Sequence, residues 1–148
     1  MPSCDLTTQS DELAARAVAL RAERGYNCAQ AVACALAPEI GADTEACYVL
    51  SEGFGGGMGG HTETCGAISG AVAIMGFVMS DGMENPKTKG QTYKLSREIA
   101  KRFGEKNTTT VCGTLKGIGS DKGPLRSCPG CIDDAVEIAC DVLKQLAE

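Results

Sequence analysis

Apolar residues recur along most of this chain at three- and four-residue intervals, the period of a helix with one buried face. Leu13, Ala14, Ala17, Val18 and Leu20 place a helix over Ser10 to Arg24, with Ser10 as its cap and Gly25 as its stop. Asn27 opens a second helix through Ala31, Val32 and Leu36, closed by Pro38. Thr44 to Leu50 reads as a short third helix running into the glycine stretch Gly53 to Gly60. Thr62 or Thr64 then caps a helix from about Cys65 to Met79, the most apolar segment of the chain. Pro86 stands near the start of a fifth helix through Leu95, Ile99 and Phe103, ended by Gly104. Cys112 follows the polar run Asn107 to Thr110, where a turn and a strand are both compatible with the residues. Pro129 starts a last helix, Cys131 to Leu146, with Ile132, Val136, Ala139 and Leu143 on one face.

No segment alternates convincingly with the period of a strand, and there is no repeat or linker. The expectation is an all-α, single-domain helical bundle of about five or six helices, with a glycine-rich loop before the central helix. At 148 residues the chain suffices for one domain with a core, residues 1–148. Fraying is expected at residues 1–9, and irregular, less ordered chain at Gly117 to Arg126.

Charge narrows the function. The formal net charge is −5 and the 14 basic residues are scattered, which argues against a binder of the nucleic-acid backbone. No apolar run approaches the roughly 20 residues of a membrane span, and the first residues lack the pattern of a secretory signal. A cytoplasmic location is expected. Cytoplasmic thiols are kept reduced, so nine cysteines, an odd number, are a poor disulfide framework. Metal binding or catalytic redox chemistry is the leading alternative.

Cys28, Cys65 and Cys131 fall in the first turns of predicted helices, where unpaired N–H groups and the helix dipole favour thiolate. Cys128-Pro129-Gly130-Cys131 is a C-x-x-C spacing suited to a redox dithiol or to two ligands of one metal. It lacks the sheet that a thioredoxin-like fold would supply. Gly55, Gly56 and Gly57, together with Gly66, let the backbone approach a cofactor closely or take left-handed conformations. The loop lacks the flanking strand and the Gly-Lys-Ser/Thr ending of a nucleotide site. Gly66 and Gly70 make a flat helix face for a neighbouring helix or a second subunit. His61, the sole histidine, stands four residues before Cys65 as a ligand, a proton donor or a solvated loop residue. Cys34, Cys47 and Cys140 fit core positions, and Cys4 a frayed terminus.

The segment Phe54-Gly55-Gly56-Gly57-Met58 followed by Glu63-Thr64-Cys65-Gly66-Ala67-Ile68-Ser69-Gly70-Ala71 resembles the redox-active protein family labelled C_GCAxxG_C_C. The order of the remaining cysteines also fits: Cys28 in Asn27-Cys28-Ala29-Gln30-Ala31, Cys112 in Cys112-Gly113-Thr114-Leu115, and Cys131 before Ile132-Asp133-Asp134-Ala135. The resemblance spans about residues 10 to 147. It implies a helical protein with a redox role and no settled substrate. A related domain occurs in split-Soret cytochromes, which are associated with an iron-sulfur site. This chain has no C-x-x-C-His, so covalent haem is not indicated. Cys128 departs from the four-cysteine pattern.

Three readings follow. In the preferred one, Cys28, Cys65, Cys112 and Cys131 converge to hold an iron-sulfur cluster for electron or cluster transfer with a redox partner protein. A second is a metal-free thiol-disulfide oxidoreductase using Cys65 and Cys128 or Cys131. A third is a zinc-stabilised helical interaction module. A homodimer is compatible with all three, and nothing in the residues assigns catalytic turnover.

Overall fold

The computed structural model describes residues 9–147, so the expectations for residues 1–8, including Cys4, lie outside the described residues. Among the described residues seven α-helices form one bundle: α1 (Ser10–Arg24), α2 (Cys28–Leu36), α3 (Thr44–Ser51), α4 (Gly66–Met79), α5 (Lys89–Asn107), α6 (Cys112–Lys116) and α7 (Cys128–Ala147). The all-α reading holds, with α6 added to the expected set.

The bundle is built around α2. Every residue from Ala29 to Leu36 is buried, as expected of a helix apolar on all sides, and α1, α3, α4 and α7 all pack on it. Its start is fixed by a capping box. The Gln30 N–H donates to Asn27 Oδ1 at 2.9 Å, and the Asn27 N–H donates to Gln30 Oε1 at 3.1 Å. Small residues let α4 come close. A Cβ on Gly70 would lie 2.5 Å from the Ala29 carbonyl oxygen, so the Gly66/Gly70 face is filled by α2 of the same chain. Leu13, Leu36, Ile74, Ile99, Phe103 and Val136 fill the centre between α1, α2, α4, α5 and α7.

Several boundaries differ from those expected. α2 does close at Leu36, just ahead of Pro38, but Pro38 then lies in a single tight turn, Ala37–Ile40, stopped by Gly41 in the left-handed region (φ 72°). Neither Thr62 nor Thr64 caps α4, since Cys65 itself occupies the N-cap position without a side-chain cap bond. Pro86 lies in a separate turn, Pro86–Thr88, and α5 runs through Gly104 to Asn107. The helix continues because Phe103 and Asn107 are both buried on the bundle, and that packing outweighs the weak helix preference of one glycine. Residues 117–127 are an ordered loop, held by Leu125 and Arg126 N–H groups that donate to the Leu115 carbonyl at 2.8 and 3.3 Å.

Candidate functional site

The site is assembled at one end of the bundle by the glycine loop. Gly56, Gly57, Met58, Gly59 and His61 all have positive φ, near 60° to 80°. Glycine tolerates that region freely, whereas Met58 and His61 adopt it at a cost in backbone strain. The left-handed run lays the loop against α6. A Cβ on Gly57 would stand 2.4 Å from Cys112 Cβ, and one on Gly113 would stand 2.6 Å from the His61 carbonyl oxygen. A short antiparallel bridge between Thr64 and Val111 joins the loop to the segment before α6. In it the Cys65 N–H donates to the Thr110 carbonyl at 2.7 Å, and the Cys112 N–H donates to the Glu63 carbonyl at 2.9 Å.

These constraints bring cysteines from distant parts of the chain together. Cys28, Cys65, Cys112, Cys128 and Cys131 all line one cavity of about 360 Å³. Cys28 is the first residue of α2, Cys65 the N-cap of α4, Cys112 the first residue of α6, and Cys128 and Cys131 the first turn of α7. All four cysteines of the sequence pattern therefore meet, and Cys128 joins them. Cys65, Cys112 and Cys131 are buried; Cys28 and Cys128 are partly exposed. His61 reaches the same end, its Nδ1 3.5 Å from Cys112 Sγ.

Of the four glycines singled out in the sequence, Gly56 lines the cavity. The close approaches made at the other three are to the cysteine scaffold. A Cβ on Gly66 would meet Cys28 Sγ at 2.5 Å and the Phe54 carbonyl at 2.8 Å, and one on Gly55 would strike the Asn27 side chain at 2.4 Å.

The thiols do not behave as helix N-termini alone would dictate. The Cys28 pKa is raised, first by its hydrogen bond with Cys65 and then by burial, against the lowering effect of the Gly56 and Ala29 N–H groups. Cys65 is pushed up to about 12, chiefly by its hydrogen bond with Cys131, with burial adding to it and Cys28 and the Ala67 N–H opposing. Burial also raises Cys112, partly offset by Lys116. The expected thiolate preference at Cys28 and Cys65 is thus reversed. Mutually bonded thiols in a desolvated pocket hold their protons until a cation or metal replaces them.

Charge around the cavity was not legible in the sequence. Arg21, Lys116 and Arg126 line it, and among the described residues no carboxylate does. Arg126 is fixed by Asp134, which is fully buried. The Arg126 guanidinium donates to both carboxylate oxygens at 3.0 and 3.1 Å, Lys106 Nζ donates to Oδ1 at 2.6 Å, and Asn107 Nδ2 donates to Oδ2 at 3.0 Å. Burial alone would raise the Asp134 pKa, but these donors outweigh it and hold the carboxyl below its ordinary value. The only hint in the sequence is an aspartate one turn after Cys131, on a helix whose neighbours Ile132, Ala135 and Val136 are core residues.

Among the described residues, no three His, Cys, Asp or Glu side chains converge at the spacing of a single-ion site. The donor set is nonetheless suited to an iron-sulfur group: four soft sulfurs from four helices, backbone N–H groups on Cys28 and Cys65, and cations nearby. Cys34, Cys47 and Cys140 are buried away from the cavity lining, as core residues. No helix among the described residues is long and apolar enough to cross a membrane.

A family model described as "Putative redox-active protein (C_GCAxxG_C_C)" matches residues 26–142. No curated protein and no solved structure matches the chain.

Proposed function

The chain belongs to the C_GCAxxG_C_C family, and on that premise we propose that it is a redox protein whose Cys28, Cys65, Cys112 and Cys131 hold an iron-sulfur cluster. The observation that carries this reading is the meeting of those four cysteines, contributed by α2, α4, α6 and α7, on one cavity. Thiolates placed around a cavity rather than around a point favour a group larger than one zinc ion, which needs its sulfurs about 2.3 Å from a common centre.

A bound cluster supplies one-electron transfer. The protein's own residues do the rest. The Gly56 and Ala29 N–H groups donate to Cys28, and the Ala67 N–H to Cys65. Such bonds stabilise charge on sulfur and set the potential. Arg21, Lys116 and Arg126 offset the negative charge of four thiolates. Burial of Cys65, Cys112 and Cys131 keeps water from their sulfurs.

Iron and acid-labile sulfide content, with a visible spectrum, should be measured on protein purified without oxygen. Matched iron and sulfide with broad visible absorption is the expected result. Colourless, metal-free protein after reconstitution with iron and sulfide refutes the cluster. If its Cys128 and Cys131 then pair reversibly, the dithiol reading takes its place.

A further inference from the structure

The cavity carries more than sulfur. Its buried cysteines lie inward, while Arg21 and Lys116 are exposed at its rim and Arg126 is half-buried beside them. Among the described residues neither Arg21 nor Lys116 forms an ion pair. Among the described residues, a protein of net charge −5 has thus lined one opening with three cationic side chains, of which only Arg126 is ion-paired, and with no carboxylate. Arg126 reaches its place through Asp134 and through Gly130, where a Cβ would stand 2.5 Å from Arg126 Nε. Asn27 and Tyr26 add polar groups to the same lining. Cys128 is partly exposed there and lies outside the four-cysteine pattern of the family.

We propose that the mouth of this cavity is a binding site for a small anionic molecule, a carboxylate or oxyanion seated between Arg21, Lys116 and Arg126 and in reach of Cys128. A concave opening of about 360 Å³ suits a small ligand better than a flat protein surface. The site stands on the cavity itself; that its anion exchanges electrons with the protein rests on the redox reading above.

Cys128 provides the reporter. Its alkylation by iodoacetate, an anion, is compared with that by iodoacetamide, a neutral molecule of nearly the same shape. In both, the sulfur displaces iodide from carbon and the thiol proton passes to solvent, so only charge differs. Peptide mapping by mass spectrometry gives the iodoacetate-to-iodoacetamide rate ratio at Cys128 in the native chain, divided by the same ratio in the urea-unfolded chain. Two unpaired cations, Arg21 and Lys116, contributing roughly two- to fivefold each predict a normalised ratio of about ten at low salt. Arg21→Gln and Lys116→Gln, both at exposed positions, should each lower it by roughly two- to fivefold, and malonate should slow labelling of the native chain.

A normalised ratio near one, a ratio unchanged in both variants, or a Cys128 unreactive to both reagents overturns the site. A raised ratio without protection by malonate assigns the cations to an acidic protein surface and also overturns it. Running the assay on iron-loaded and metal-free protein separates this result from the fate of the cluster, because the iron and sulfide content is read independently.

Discussion

Replacing Asp134 with asparagine keeps the shape of the side chain and removes its charge. Asp134 is fully buried and accepts four hydrogen bonds, three of them from the cations Arg126 and Lys106. A hydrogen bond to a charged group contributes about 1.5–3 kcal/mol, and breaking a buried ion pair costs about 3–5 kcal/mol. The cations are not trapped, however. The side chains of Lys106 and Arg126 are 52% and 37% exposed and recover water once released. The expected destabilisation is therefore about 2–4 kcal/mol, a large part of the roughly 5–15 kcal/mol available to a domain. Urea unfolding followed by far-ultraviolet circular dichroism reads it directly, with the slope checked for two-state behaviour. The pH dependence gives a second readout. Because the folded-state pKa of Asp134 is depressed, its contribution is fully present above the unfolded value of about 4 and is lost as pH falls through the lower folded value. Asp134→Asn should flatten that acid limb. A loss below about 0.5 kcal/mol with an unchanged acid limb would refute the assignment of this cluster as the anchor of Arg126, since surface pairs alone give that little.

Other outcomes follow from the same geometry. Gly66→Ala places a Cβ 2.5 Å from Cys28 Sγ. The overpacking cost of about 1–3 kcal/mol should exceed any gain in helix preference, and the variant should retain less iron after reconstitution. Among single serine variants, Cys65→Ser and Cys112→Ser should lose most of the iron and sulfide, while Cys128→Ser keeps it; equal loss in all three would break the four-cysteine assignment. Phe103→Ala empties a fully buried position between α5 and its neighbours and should cost about 3–5 kcal/mol in the same urea titration.

The helices were largely legible because their signals are local. Periodicity and Gly25 bounded α1, and Asn27 with Gln30 marked the start of α2. Where a boundary depended on distant contacts, local signals misled. Gly104 reads as a stop, yet Phe103 and Asn107 bury against the bundle and carry α5 onward. The cysteines could be chosen as a set from their order in the chain, but their meeting depends on the left-handed run from Gly56 to His61, which composition only hints at. The thiol acidities were misjudged for the same reason: a helix start is visible in sequence, whereas three thiols sharing protons in a desolvated pocket are not. The cationic rim was invisible, because Arg21, Lys116 and Arg126 are about a hundred positions apart at the extremes and only the fold gathers them.

The bridge between Thr64 and Val111 has a consequence in time rather than in space. Its two closing amides belong to Cys65 and Cys112 themselves. The rungs cannot part without releasing both sulfurs from their frame, so a single latch sets how long the site stays shut. Hydrogen exchange at those two amides, each corrected for its intrinsic rate, should therefore report one shared free energy of opening for the cavity.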